Sequence, residues 1–279
     1  MKTLEQIIIP IAAELAQFEV FFAQTLKADT EPMNSIMCYV LDTQGKRLRP
    51  MLVLLSAKLF GEVNEQTLRA AIFVEMVHSA TLIHDDVVDD ANQRRGKSSV
   101  KAHFGNLSAV LAGDFLLAKA MLLIVNDADI LNEMLLTTMA MSEGELMQNA
   151  VGLSYHGSRL DENLQMRLPQ CDSPTNRYLD IITRKTAMLM RSCCAAGAMS
   201  VGATTEQIEK ISDFGLCFGQ LFQMRDDILD ADDADSVTFA KQLLPSYQQK
   251  ALGLLKELPD SKMVEVLKDL VVFCVEREK

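Results

Sequence analysis

Residues 68–90 read LRAAIFVEMVHSATLIHDDVVDD, and this stretch decides the fold. Its apolar side chains, Ala71, Val74, Met76, Val77, Leu82 and Ile83, recur at the spacing of a helix buried on most sides. The last turn is acidic. Asp85, Asp86, Asp89 and Asp90 stand where a helix C-terminus already carries partial negative charge, so they oppose the dipole and need positive charge nearby. Arg94, Arg95 and Lys97 follow at once. At 3.6 residues per turn, Asp85 and Asp89 project from one face while Val87 and Val88 point elsewhere. His78, two turns earlier, shares that face.

The same three-and-four spacing runs through almost the whole chain, and Gly and Pro are sparse at 13 and 7, so the fold is expected to be all-α. Helix borders are expected at Gly45 and Pro50, Gly61, Gly96 with Gly105, Gly113, residues 157–174, Gly202 and residues 232–245. No Gly-, Ser- or Pro-rich linker divides the chain, and residues 1–279 are expected to form a single domain. A second acidic cluster closes FGQLFQMRDDILD at 218–230. There Gly219, Gln223, Asp226 and Asp230 share a helix face, with Asp227 beside them.

One acidic helix end is usually a solvated face. Two matching clusters in apolar helices are different, because like charges there repel unless cations neutralise them. Carboxylates i and i+4 suit a hard cation that keeps waters and shares substrate phosphate oxygens, which favours Mg2+; zinc would want paired His or Cys. Lys46 and Arg49, in GKRLRP at 45–50, are three apart, and at a helix start they would make an anion site; the alternative is a solvated basic turn. Lys185 lies in an otherwise apolar helix and needs an anionic partner.

Of 279 residues, 49% are apolar, and the formal net charge is −11. That balance speaks against nucleic acid as a partner, though not against phosphorylated substrates bridged by metal. Six irregularly spaced Cys read as apolar fillers in a reducing cytosol. No signal peptide and no transmembrane segment is expected, since runs such as 51–57 and 121–125 fall far short of about 20 residues.

With GKRLRP, HSATLIHDDVVD at 78–89, RRGK at 94–97, LAGDFLL at 111–117, EGELMQ at 143–148, RKTA at 184–187 and GQLFQMRDDILD at 219–230, the chain closely resembles the trans-polyprenyl diphosphate synthases. The resemblance implies a helical bundle around a central cavity (the isoprenoid synthase fold), usually a homodimer, that condenses isopentenyl diphosphate onto an allylic prenyl diphosphate. Asp85, Asp89 and Asp226 resemble the magnesium ligands, with Asp86, Asp227 and Asp230 in support. Lys46, Arg49, His78 and Arg95 resemble the isopentenyl diphosphate contacts. Arg94, Lys185, Thr186 and Gln223 resemble the allylic diphosphate contacts. Ala80 and Thr81, one turn below Asp85, are expected to floor the product tunnel; neither is aromatic, which favours a long, octaprenyl-like product. A cytoplasmic enzyme with peripheral membrane contact for product release is expected.

The resemblance weakens after Asp230. The family's Lys-bearing continuation is missing, and the chain runs through Ala231, Asp232 and Asp233 towards its C-terminal helices, with Lys241 a weak substitute. A non-catalytic or weakly active subunit of a heteromeric synthase is therefore a second reading. A terpene cyclase is a third, disfavoured by Asp226 to Asp230 and by Lys46 and Arg49. A di-iron bundle would want Glu-x-x-His pairs that are absent.

Overall fold

The computed structural model describes residues 2–43, 45–94, 96–150 and 173–278. Apart from the two-residue antiparallel pair Gln93–Arg94 and Lys97–Ser98, the regular structure in them is helical. In chain order the α-helices are α1 (Leu4–Ile7), α2 (Ala12–Leu26), α3 (Glu31–Asp42), α4 (Leu48–Phe60), α5 (Glu65–Val88), α6 (Val100–Phe104) and α7 (Asn106–Leu123). They continue with α8 (Ala128–Ala150), α9 (Pro174–Ile182), α10 (Met188–Met199), α11 (Thr205–Asp230), α12 (Ala234–Leu254) and α13 (Lys262–Glu276). A five-residue π-helical turn, Thr183–Ala187, joins α9 to α10.

The starts are chemically specified. Asn64 accepts from the Thr67 N–H and opens α5, and Thr204 accepts from the Gln207 N–H and opens α11; both are reciprocal capping boxes. Inside, α4, α5 and α10 pack on one another and carry the most deeply buried residues. Leu52 to Leu55 of α4, Ala70, Ala71 and Val74 of α5, and Cys193, Cys194 and Ala196 of α10 are sealed from solvent or nearly so. One apolar cluster runs from Ile7 to Cys274. Buried Cys193, Cys194, Cys217 and Cys274 serve as apolar fillers, while Cys38 is exposed and Cys171 lies outside the described residues.

Several expected borders hold. Gly61 ends α4, and Gly96, Gly105 and Gly202 turn with positive φ. Others are corrected. Gly113 lies within α7, where a Cβ would come within 2.1 Å of His84 Nε2; its missing side chain lets α7 pack on α5. The break expected over 232–245 shrinks to 231–233. Ala231 closes α11 in the left-handed conformation, the Asp233 carboxylate accepts from the Ser236 N–H at 2.7 Å to start α12, and that helix continues through Pro245. Of the border expected over 157–174, residues 157–172 lie outside the described residues; Pro174 opens α9.

One expectation about membranes also changes. With 18 residues and a mean hydropathy of 1.5, α7 is long and apolar enough to cross a bilayer by length and composition alone. Its apolar residues are interspersed with Ser108, Asp114 and Lys119, so counting unbroken runs misses it. It packs its small face, Ala109, Ala112, Gly113 and Ala120, into the core and leaves Leu107, Leu111 and Leu122 exposed.

Gly197 tests this close helix packing, because a Cβ there would lie 2.2 Å from the Val53 carbonyl oxygen of α4. Gly197→Ala is expected to destabilise the chain by about 1–3 kcal/mol, read as a lower midpoint in urea unfolding.

Candidate active site

The C-terminal ends of α5 and α11 open onto one cavity of about 1080 Å³. On its α5 wall stand His78, Thr81, Leu82, Asp85 and Val88; on its α11 wall, Phe222, Gln223, Asp226 and Asp230. Met141, Ser142, Glu145 and Leu146 line it from α8, Lys185 and Thr186 from the π-helical turn, and Arg49 and Arg94 from either side. A second cavity of about 500 Å³ shares Arg49, His78 and Phe222 with the first and adds Lys46, Arg47 and Glu75. Members of both acidic clusters and of the three basic groups read from the sequence, Arg49, Arg94 and Lys185, therefore meet at one place.

The π-helical turn positions Lys185 and Thr186, although the sequence suggested an uninterrupted helix from 178 to 190. Such bulges recur at functional sites because the inserted residue re-aims side chains. Two glycines make room for it. A Cβ on Gly144 of α8 would lie 2.7 Å from the Lys185 backbone nitrogen, and one on Gly219 of α11 would lie 2.6 Å from Ala187 Cα. Lys185 Nζ then reaches Glu145 at 2.7 Å, and the Thr186 hydroxyl donates to Gln223 Oε1 at 2.8 Å.

The carboxylates have separate environments. Burial pushes the Asp85 carboxyl up to about 7, and Glu145 adds to this while Lys185 and Arg94 oppose it. Asp89, the C-cap of α5, is raised by burial and Glu145. Asp86 points inward at 2% exposure and takes both Arg94 Nε at 2.9 Å and Arg94 Nη2 at 2.5 Å. Arg94 thus lines the cavity while committed to Asp86. On the opposite wall, burial raises Asp226 to about 6 against the guanidinium of Arg277, which pairs with it. Asp227 turns away to accept from the Tyr178 hydroxyl at 2.6 Å and Gln223 Nε2 at 2.8 Å, and burial raises its carboxyl.

These donors fit a hard divalent cation. Asp85, Glu145, Asp226 and Asp230 present oxygen ligands to one space, with Asp89 beside it off the wall, and burial together with neighbouring acids holds Asp85 and Asp226 short of full ionisation at neutral pH. Among the described residues no three His, Cys, Asp or Glu side chains converge as a closed metal cage. That suits an ion whose remaining ligands come from phosphate and water.

Some expectations need adjustment. Lys46 and Arg49 share the smaller cavity, but Lys46 precedes α4, and the left-handed Arg47 between them turns the chain. Thr81 reaches the large cavity, whereas Ala80 is fully buried and off its wall, since one residue further along α5 swings the side chain to about 140° from Asp85. Lys241 is exposed on α12. Arg95 lies outside the described residues. Sequence reading missed Glu145, Phe222 and Arg277. Only Glu145 had a signal, a carboxylate within the EGELMQ stretch; Arg277, some 50 residues from Asp226, had none.

Two outcomes follow from the carboxyl environments. Between about pH 4 and pH 7 the metal-free folded chain keeps protons on Asp85 and Asp226 that the unfolded chain has released, so stability falls as pH rises through that window. Thermal unfolding in chelator should show Tm declining over it; a rising Tm would contradict the burial of these groups. Arg277→Ala removes the cation opposing burial at Asp226 and is expected to move that carboxyl further above about 6, read by carboxyl NMR titration.

Residues 30–245 match the family described as polyprenyl synthetase. Octaprenyl diphosphate synthase of Escherichia coli (strain K12) is 31% identical over 227 residues, covering 81% of this chain and 66% of that protein. Heptaprenyl diphosphate synthase component 2 of Geobacillus stearothermophilus is 32% identical over 221 residues, covering 79% and 64%. The chain thus spans slightly under two thirds of these relatives' length. A solved polyprenyl synthase from Caulobacter crescentus CB15, complexed with calcium and isoprenyl diphosphate, superposes with a TM-score of 0.83 at 26% identity, over 99% of this chain and 98% of that one. Two helices ending in facing carboxylates, an all-α fold shared with that synthase, and a family match over most of its length together make this chain a member of the polyprenyl synthetase family.

Proposed function

We propose that the chain is a trans-polyprenyl diphosphate synthase that condenses isopentenyl diphosphate head-to-tail onto an allylic diphosphate. The observation that carries this reading is the pairing of two cavities across Arg49, His78 and Phe222, one walled by facing carboxylates and one by Lys46, Arg49 and His78. A single-substrate cyclase has no use for the second, basic space.

Magnesium held by Asp85, Asp89 and Asp226 would supply the Lewis-acid charge that favours departure of the allylic diphosphate. Lys185, Thr186 and Gln223 bind that diphosphate's oxygens, with Arg94 behind them braced on Asp86. Lys46, Arg49 and His78 hold the isopentenyl diphosphate so that its double bond attacks the allylic carbocation. The proton lost afterwards goes to released diphosphate, so no dedicated base is needed. Leu82, Met141 and Leu146, with Thr81, whose hydroxyl is taken up by the His78 carbonyl, present a lining that keeps water from the cation and guides the growing chain. None of them is an aromatic stop, which supports a long-chain product.

Large apolar side chains stand exposed on α7, at Leu107 and Leu111, and on α8, at Leu136 and Met139, which supports a homodimer. A single-domain, cytoplasmic enzyme with peripheral membrane contact remains part of this reading. One observation favours a weakly active heteromer subunit instead: residues 231–233 join the second cluster to α12 without the lysines of the family pattern.

Incubation of the purified chain with magnesium, farnesyl diphosphate and labelled isopentenyl diphosphate should give a ladder of longer products. Metal binding without elongation would favour the subunit reading. Asp85→Ala is expected to lower turnover by at least about a thousandfold, and near-normal turnover would sink the ionisation mechanism.

A further inference from the structure

The smaller cavity contains an electrostatic contradiction. Lys46, Arg49 and His78 make it an anion site, yet Glu75, only 4% exposed, lies on the same wall one turn before His78. A buried carboxylate there repels the ligand that the cations attract. Arg47 stands between them. Its Nη1 donates to Glu75 Oε1 at 2.7 Å, and its Nε and Nη2 donate to the two oxygens of Glu19, on α2, at 2.8 and 3.2 Å. The guanidinium lies over the Phe22 ring at 4.7 Å and near Phe18 at 5.8 Å, and those rings stack on each other. Burial works against the charge of Arg47, but Glu19 and Glu75 outweigh it and raise its pKa.

The backbone of Arg47 is equally committed. It adopts φ 53° and ψ 28°, a left-handed conformation that non-glycine residues hold only when their surroundings over-determine it. That turn brings Lys46, which precedes α4, and Arg49, in its first turn, to the same cavity. The Glu19 and Glu75 pairs and the Phe18–Phe22 stack supply the over-determination.

We infer that Arg47 is a positioning residue for isopentenyl diphosphate: it acts through Lys46 and Arg49, which it aims, and through Glu75, whose charge it removes from the field of the ligand. The inference rests on the synthase reading for the identity of that ligand.

The test uses the full chain and two readouts, steady-state kinetics and calorimetric binding of isopentenyl diphosphate. Arg47→Met is expected to raise KM and Kd for isopentenyl diphosphate by at least about tenfold, while kcat and the KM for the allylic diphosphate move less than about threefold. Adding Glu75→Gln to that variant is expected to recover the part of the loss that comes from the charge Arg47 had masked, a severalfold tightening of Kd, while the part that comes from aiming Lys46 and Arg49 stays lost. Equal changes in both KM values, or no recovery in the double variant, would overturn the inference. Should Arg47→Met fail to fold, Glu75→Gln alone decides: it keeps an acceptor for Arg47 and is expected to tighten isopentenyl diphosphate binding, and weaker binding would overturn the inference. An unmodified chain that binds isopentenyl diphosphate without elongating it sinks the synthase reading alone; one that does not bind it overturns the inference with the pocket.

Discussion

Partial burial of carboxylates at two helix ends that share one cavity organises this structure. Asp85 and Asp226 each stand near the C-terminal end of a helix sunk in apolar packing, where burial, neighbouring acids and the helix dipole all disfavour a negative charge. The fold answers with cations drawn from distant parts of the chain. Arg94 comes from the short two-strand turn, Lys185 from the π-helical bulge and Arg277 from beyond α13. Each is already paired, to Asp86, Glu145 and Asp226 respectively, so part of the acidic charge is offset before any ligand arrives.

That offset depends on helix packing. Gly144 and Gly219 let α8 and α11 close on the π-helical turn, and Gly113 lets α7 close on α5 beside His84. A Cβ at Gly144 or Gly219 would press on the backbone of the bulge that carries Lys185 and Thr186. The hydrogen-bonded run from Thr186 through Gln223 and Asp227 to Tyr178 then links the bulge, α11 and α9, and so holds the second acidic cluster in place. Arg277, which follows α13, supplies a cation to the α11 wall by pairing with Asp226. The small basic cavity solves a related problem in reverse, since Arg47 screens the carboxylates of Glu75 and Glu19 that would otherwise work against an anion.

Much of this was legible in the residues alone. Three-and-four periodicity with few Gly and Pro determined an all-helical chain, because an apolar stripe of that period can be buried only as a helix. The i, i+4 carboxylates at 85 and 89, and at 226 and 230, determined which faces carry acid, and the motifs from 45 to 230 determined the family. Local hydrogen-bonding chemistry likewise set the helix starts at Asn64 and Thr204.

Tertiary structure alone decided which charges meet. Nothing in sequence spacing joins Arg277 to Asp226, Glu145 to Lys185 or Arg47 to Glu19, because ion pairs form between side chains that packing brings together, over separations of 28 to 51 residues in these cases. Packing likewise turned Gly113 from an expected border into a contact, placed Thr81 on the cavity wall with Ala80 in the core, and broke the helix around Lys185. A periodic pattern specifies that a helix forms and which of its faces is buried. The neighbour against that face, and so the environment of every carboxylate at its end, is set only when the helices assemble.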